Sequence, residues 1–207
     1  VFKITLVAER RSEAKGFHHI LLIDTSRSMA GEKIELAKKG AQEYANRIAP
    51  GNTLSVVLFA STVQTFPETR LSDVLPKVKA TGLTALYSAL QSAFEMAKKS
   101  QRPGWIVLLT DGEPTDVTNP EQYSKLKMPT GFQMIEFGVG TDYNQSILKA
   151  LADASGGTLH NITDAQKFEL PSLMQQSAVN EVAARSINVD FGTSYVRILN
   201  YKGPPVT

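Results

Sequence analysis

The sequence predicts an α/β protein: an open, mostly parallel twisted sheet with one antiparallel edge strand and helices on both faces. Two short apolar runs, Ile20–Ile23 and Trp105–Leu109, are unbroken, as is typical of strands that are covered on both faces. Strand and helix patterns alternate from residue 17 to about 185, which favours parallel strands joined by crossover helices. Strand patterns at 54–59 and 62–66 lie too close together for such a crossover, so we expect an antiparallel hairpin at a sheet edge.

Apolar residues at helical spacing mark the helices of this run. Ile34, Ala37 and Ala41 fall on one face of a helix that opens at Gly31 and stops at Pro50. Further apolar patterns and turn signals place the remaining elements. We predict further helices at 71–78, 86–97, 147–151 and 165–185, and further strands at 132–137 and 158–162.

Both ends of the chain have a different character. Residues 2–6 and 187–198 alternate apolar and polar side chains, as half-exposed strands do, and lie outside the α/β run. We expect these strands to pair with each other in a small extra sheet. The predicted domain therefore covers residues 17–185, and residues 1–16 and 186–207 are flanking β segments of a second small or truncated β domain.

Composition excludes several functional classes. The 207 residues include 22 Lys plus Arg and 20 Asp plus Glu, and the formal net charge of +2 gives no reason to expect nucleic acid as a partner. The chain has no cysteine, which excludes disulfides, zinc–thiolate sites and a cysteine nucleophile. No apolar run approaches the roughly 18 residues of a transmembrane helix, so we expect no membrane insertion of this segment.

The cellular compartment stays open from the sequence. No signal-peptide pattern is present, which together with the lack of cysteine slightly favours a cytoplasmic location. The first residue is Val1 and not Met, which is compatible with a piece of a longer protein.

The three histidines offer no joint metal site. His18 and His19 are adjacent in a predicted strand, so their side chains point to opposite faces. His160 stands alone in the sequence. We expect a structural or surface role for each of them.

Side chains that carry oxygen cluster in three loops at the ends of predicted elements. Asp24-Thr-Ser-Arg-Ser28 follows the first central strand, Thr81-Gly-Leu-Thr84 precedes a helix, and Thr110-Asp-Gly112 follows another strand. In open α/β sheets, ligands bind beyond the carboxyl ends of the strands. The carboxylates of Asp24 and Asp111 would repel each other there unless one is protonated or a cation lies between them. Hydroxyl and carboxylate oxygens suit Mg²⁺, Mn²⁺ or Ca²⁺, so the loops predict a divalent-cation site.

These loops give the chain its resemblance to a known family. The segments Ile20–Met29, Thr81–Leu86 and Leu108–Pro114 resemble, in order and position, the motifs of von Willebrand factor type A (VWA) domains, a family that includes the integrin I domains. The resemblance spans about residues 17–185 and implies the Rossmann-like VWA fold with a metal-ion-dependent adhesion site (MIDAS). Thr84 is preferred to Thr81 as a ligand because it stands just ahead of Ala-Leu. Carried over by motif, the implied metal ligands are Asp24, Ser26, Ser28, Thr84 and Asp111.

The resemblance also implies a mechanism. Neutral hydroxyl ligands leave the ion with surplus positive charge and an open coordination position, which an Asp or Glu of a partner protein fills. Mg²⁺ is the favoured ion, with Mn²⁺ and Ca²⁺ as alternatives. Arg27 stands where many family members have Gly, and a cation at the rim either favours an acidic partner or crowds it. In some relatives the last helix shifts when the ligand arrives, and residues 165–185 are the corresponding segment here.

Three other interpretations compete with an adhesion-type protein-binding module. An Asp followed by Ser at one strand end can simply cap a turn, but three such loops together favour a shared site. A metal-dependent hydrolase with Asp24 as nucleophile is disfavoured, because Ser26 stands where a second carboxylate would act as general acid. No P-loop or nucleophile elbow is present either, so we assign no catalytic residue. The remaining alternative is a structural domain of a multiprotein complex with a mainly stabilising metal.

Overall fold

The computed structural model describes residues 3–5, 16–111, 113–140, 143–163, 166–177 and 188–190. The chain divides into two compact units, one of residues 15–179 and one of residues 1–14 with 180–207. In the second unit, β1 (Lys3–Thr5) pairs antiparallel with β8 (Asn188–Asp190). The two ends therefore pair as expected, while their assignment to a second domain stays a prediction.

Unbroken apolar runs produce the most buried strands of the larger unit. Every residue of the strands at 18–24 and 104–110 is buried, as parallel strands covered on both faces require. The strands of this unit are β2 (His18–Asp24), β3 (Thr53–Phe59), β4 (Val63–Phe66), β5 (Gly104–Thr110), β6 (Phe132–Val139) and β7 (Thr158–Ile162).

Within the described residues, these six strands form one sheet in the order β4-β3-β2-β5-β6-β7. All neighbouring strands are parallel except β3 and β4, which form the antiparallel hairpin at one edge. β2 and β5 lie side by side at the centre, and Ile23 pairs with Leu109 near their carboxyl ends. The loops that carry Asp24 and Asp111 therefore leave the sheet next to each other.

Helices cover both faces of this sheet, so the predicted fold class is confirmed. On one face Leu90, Tyr123 and Leu148 pack in a cluster with strand residues that include Ile20. On the opposite face, Tyr44 contacts His19. The helices are α1 (Glu32–Arg47), α2 (Leu71–Val74), α3 (Leu86–Lys99), α4 (Pro120–Ser124), α5 (Gln145–Ser155) and α6 (Leu170–Ser177).

The last helix is described only in part. A 3-10 turn at Lys167–Glu169 leads into α6, and residues 165 and 178–185 of the helix expected at 165–185 lie outside the described residues. α6 packs on α1, where Gln175 Nε2 donates to Glu43 Oε2 at 2.9 Å. No helix in the described ranges is long and apolar enough to cross a membrane.

The histidines have the structural contacts expected of them. His18 Nε2 lies 2.8 Å from Ser55 Oγ on one face of the sheet, and His19 Nδ1 lies 2.7 Å from Tyr44 Oη on the other. The ring of His160 stacks on that of Phe137, with 4.9 Å between the ring centroids. The three rings therefore make separate contacts.

Candidate metal centre

The two central strands bring the first and third predicted loops together. Asp24 ends β2, and Thr110 ends β5 beside it. The Thr110 hydroxyl donates to Asp24 Oδ2 at 2.6 Å, so it fixes one oxygen of this buried carboxylate. The next residue, Asp111, is 1% exposed and follows directly from the strand end. The sheet thus places both predicted carboxylates at one edge.

A chain of hydrogen bonds joins four of the five predicted ligands. The Ser26 N–H donates to Asp24 Oδ1 at 2.7 Å, and the Ser28 hydroxyl donates to Asp111 Oδ1 at 2.7 Å. The hydroxyl oxygens of Ser26 and Ser28 are 2.9 Å apart. Because Ser28 has a single hydroxyl hydrogen and gives it to Asp111, Ser26 must be the donor between the two serines. Both serine oxygens keep a lone pair that this chain does not use.

Asp24 is held in a setting that penalises its negative charge. Burial raises the pKa of Asp24 to about 6, and the nearby charge of Asp111 acts in the same direction. Hydrogen bonds from Thr110 and Ser26 oppose this rise in the pKa because they stabilise the charged form. Ser28 is exposed, in contrast to Ser26 and both aspartates, and so it marks the side from which solvent reaches the site.

Lys33, which the sequence analysis did not select, provides a positive charge at this site. Its Nζ lies 2.7 Å from Asp111 Oδ2 in an ion pair with a fully buried carboxylate. Lys33 is the second residue of α1, so the first turn of that helix carries the ammonium to the site. The signal in the sequence was its place five residues after Ser28, on the helix that follows the first loop.

The second predicted loop is fastened to the first by backbone hydrogen bonds. Thr81 N donates to the Thr25 carbonyl at 2.7 Å, and Arg27 N donates to the Gly82 carbonyl at 3.2 Å. Gly82 has a φ of +71°, and a Cβ at this position would lie 2.5 Å from Ser61 Oγ. The turn therefore requires glycine, both for its left-handed backbone and for its close approach to Ser61.

This turn buries Thr84 and exposes the preceding Leu83. Thr84 is 5% exposed, whereas Thr81 is exposed. The backbone of Thr84 is held by Thr115, whose N–H donates to the Thr84 carbonyl at 2.8 Å. Among the described residues, no hydrogen bond joins the Thr84 hydroxyl to the other four predicted ligands, so its part in the site stays a prediction.

The oxygen groups gathered here fit a hard divalent cation. Within the described ranges, no three His, Cys, Asp or Glu side chains lie together as a possible ion site. An ion at this edge would therefore rely on two carboxylates and on hydroxyl oxygens. Such ligands suit Mg²⁺, Mn²⁺ or Ca²⁺, and the two buried carboxylates favour a positive charge between them.

Comparison with known proteins identifies the family. The von Willebrand factor type A domain family matches residues 20–176, which is most of the chain. The chain belongs to the VWA domain family. Domains of this family generally mediate protein–protein interactions. Inter-alpha-trypsin inhibitor heavy chain H1 of Mesocricetus auratus is 27% identical to this VWA domain over 165 residues, which cover 69% of the chain and only 18% of that protein.

Solved structures show the same fold. The ArnB paralog VWA2 from Sulfolobus acidocaldarius is 32% identical, with a TM-score of 0.66 over 84% of this chain and 46% of that one. Proximal thread matrix protein 1 from the mussel byssus, in a structure with a zinc-occupied MIDAS motif, is 22% identical with a TM-score of 0.62 over 84% of this chain and 48% of that one. The VWA domain thus spans about half of each of these chains, and the second likeness shows the fold alone.

Proposed function

We propose that this VWA domain holds a divalent cation at a MIDAS and uses it to bind a carboxylate of a partner protein. The single observation that carries the proposal is the hydrogen-bonded chain from Asp24 through Ser26 and Ser28 to Asp111, which gathers oxygen ligands from two separate loops. The zinc-occupied MIDAS of the mussel protein supports it, as a property of that protein on the same fold. The proposed ligands are Asp24, Ser26, Ser28, Thr84 and Asp111, with Mg²⁺ as the favoured ion.

The protein side chains prepare the site for this ion in two ways. The bond from Thr110 and the Ser26 N–H orient both oxygens of Asp24, so this carboxylate cannot rotate freely. The serines contribute neutral oxygens, so the bound cation would keep surplus positive charge for an incoming carboxylate. The exposed position of Ser28 leaves that charge accessible to a partner.

Removal of the two serine hydroxyls tests the metal site. We expect Ser26→Ala with Ser28→Ala to abolish Mg²⁺ binding measured by calorimetry, and with it the thermal stabilisation by Mg²⁺. For the unaltered domain, Mg²⁺ at a hundred times its Kd should add about 2.7 kcal/mol to the free energy of unfolding. Ser72→Ala with Ser92→Ala is the matched control, because both hydroxyls lie on exposed helix surfaces away from the site. Equal Mg²⁺ binding in both double variants would refute the proposed ligands.

The surface around the site has the character of a protein-binding rim. Leu83 is 61% exposed, and a hydrogen bond from its N–H to Ser61 Oγ at 2.9 Å holds it there, next to Thr84. Arg27 is also exposed, between the two serines. An acidic side chain on the ion could thus be flanked by an apolar contact from Leu83 and by the cation of Arg27, a residue type that is enriched in interface hot spots.

Metal-dependent capture of a carboxylate tests the binding step itself. With Mn²⁺ in place of Mg²⁺, the methyl protons of acetate should relax faster in the presence of the domain, and this effect should vanish in Ser26→Ala with Ser28→Ala. A pull-down from native extract with Mg²⁺ and with EDTA then identifies partners that depend on the ion. If Mg²⁺ stabilises the domain but neither acetate relaxation nor any partner depends on the ion, the metal is structural and the binding proposal fails.

We infer no catalytic role for the site. VWA domains are generally interaction modules and not enzymes. Asp24 accepts two hydrogen bonds and is 0% exposed, so its oxygens are poorly placed to attack a substrate. Turnover of a generic phosphoester such as p-nitrophenyl phosphate that disappears in Asp24→Asn would contradict this inference.

A further inference from the structure

A cavity lies at the opposite end of the sheet from the metal centre. It has a volume of about 510 Å³, within the range of small-molecule sites. His18 at the start of β2 lines it, about 20 Å along the strand from Asp24. Its remaining lining includes Ser55 of β3, Pro67 and Glu68 in the turn after β4, Met96 and Lys99 near the end of α3, and Arg102 in the loop after that helix.

The floor of this cavity is polar but uncharged. His18 is 6% exposed and Ser55 is 0% exposed, and their side chains lie 2.8 Å apart. Burial lowers the pKa of His18, so the ring is neutral at pH 7. The Glu68 N–H also donates to Ser55 Oγ, at 2.9 Å. A ligand on this floor would therefore meet hydrogen-bonding groups without a counter-charge.

The charged residues of the cavity stand at its mouth and do not pair with one another. Lys99 and Arg102 supply two positive charges, and Glu68 supplies one negative charge. In the part of the chain that the structure describes, no ion pair within 4.0 Å involves any of these three side chains. The Arg102 Nη1 donates to the Gly51 carbonyl at 2.9 Å, which holds the guanidinium at the rim. The mouth therefore has an excess of one positive charge over a neutral floor.

Glu68 shows that the backbone is under strain at this cavity. Its φ of +43° is the only positive value of a non-glycine residue in the described ranges. This conformation costs free energy for a residue with a Cβ, and strained residues of this kind cluster at active sites, ligand clamps and switch regions. The bond from the Glu68 N–H to Ser55 holds the strained turn against the floor of the cavity.

We propose that this cavity binds a small organic carboxylate. Lys99 and Arg102 would take the carboxylate, and Met96 and Pro67 would pack against the apolar part of the molecule. A single excess positive charge matches a monoanion, whereas a phosphate monoester would bring nearly two negative charges beside Glu68. The site is independent of the metal centre, because it shares no residue with it.

Titration with benzoate in the presence of EDTA tests this proposal, followed by amide and imidazole NMR shifts. We expect saturable shifts at Ser55, Arg102 and the His18 ring, and none with benzyl alcohol, the neutral analogue. Lys99→Gln with Arg102→Gln should weaken binding about tenfold or more. Lys99→Gln alone, at an exposed position, should weaken it less and serves if the double variant fails to fold.

Two further variants separate a built site from general ionic attraction. Glu68→Gln should tighten benzoate binding about two- to fivefold, since it removes the negative charge at the mouth. Lys98→Gln should leave binding unchanged, because Lys98 pairs with Glu95 and does not line the cavity. Equal shifts with benzyl alcohol, weaker binding in Glu68→Gln, or an equal loss in Lys98→Gln and Lys99→Gln would each overturn the proposal.

Discussion

Replacement of Lys33 by Met should strengthen the binding of a divalent cation. Lys33 Nζ lies 2.7 Å from Asp111 Oδ2, and the carboxylate is fully buried while the lysine side chain is 23% exposed. A cation that uses Asp111 must compete with this ammonium for the same carboxylate. Lys33→Met removes the competitor and leaves the five proposed ligands in place.

The size of the effect follows from the geometry of this ion pair. A hydrogen bond to a charged group contributes about 1.5–3 kcal/mol net, and partial exposure of the lysine argues for about 2 kcal/mol here. The Kd for Mg²⁺ should therefore fall roughly thirtyfold. In the absence of metal, the same substitution should lower the free energy of unfolding by about 2 kcal/mol, because Asp111 loses its counter-ion.

Calorimetry with Mg²⁺ and thermal unfolding with and without the ion measure both effects. Lys38→Met is the matched control on the same helix, since Lys38 forms only a surface ion pair with Glu35 at 2.8 Å. We expect no change in Mg²⁺ affinity for that variant. Unchanged or weaker Mg²⁺ binding in Lys33→Met would refute the competition between the ammonium and the ion.

Three further predictions concern the stability of the fold and the second loop. Gly82→Ala should lower the free energy of unfolding by at least about 1 kcal/mol and weaken Mg²⁺ binding, because its φ is +71° and its Cβ would meet Ser61; urea unfolding and calorimetry measure both. Burial lowers the pKa of His19 to about 4. The neutral ring should therefore contribute about 3 kcal/mol to the free energy of unfolding above pH 6.5, and this contribution should be lost as the pH falls through 4. His19→Gln should flatten this pH profile in urea unfolding, and an unchanged profile would contradict the assignment. Glu136 is buried, and both of its carboxylate oxygens are unpartnered among the described residues. Burial raises its pKa well above the ordinary value. The contribution of Glu136 to the free energy of unfolding should therefore fall as the pH rises above about 4.5. Glu136→Leu should therefore add about 1–3 kcal/mol at pH 8 and less at pH 4, again measured by urea unfolding.

The sheet could be predicted from the sequence because each strand carries its own signal. The unbroken apolar runs that form β2 and β5 are fully buried, and the short spacing before β4 gave the antiparallel edge. The motif loops then fell at the strand ends for a topological reason. Parallel neighbours such as β2 and β5 end at the same edge of the sheet.

Short helices were not predicted correctly because they have too few residues to show apolar side chains at helical spacing. α4 has five residues, and its signal was Asn119 before Pro120, where the Asn119 side chain accepts from Glu121 N. The helix expected over 71–78 ends at Val74 and continues as a 3-10 turn at Leu75–Lys77, where Pro76 lacks the N–H that an α-helical bond would need.

At both sites, important contacts join residues that lie far apart in the sequence. Lys33 reaches Asp111 across 78 residues, and His18 reaches Ser55 across 37. A sequence motif identifies side chains that lie in the same loop. It does not identify a contact between two segments that are distant in the sequence. Patterns of spacing could therefore identify the proposed ligands and place Lys33 close to the first loop, but they could not show that Lys33 pairs with Asp111.

The charges at the metal centre allow the binding proposal to be separated from a purely structural metal. Lys33 pairs with Asp111 and the exposed Arg27 lies at the rim, so these two cations balance the two aspartates and leave no surplus positive charge for an acidic partner when no ion is bound. A divalent cation adds two positive charges, which an acidic partner can then meet. Lys33, released from Asp111, would stay attached to the first turn of α1 and add to the positive field of Arg27. Lys33→Met should thus tighten Mn²⁺ while it weakens acetate on the Mn²⁺-loaded domain, as read from proton relaxation. A structural metal predicts the first change without the second.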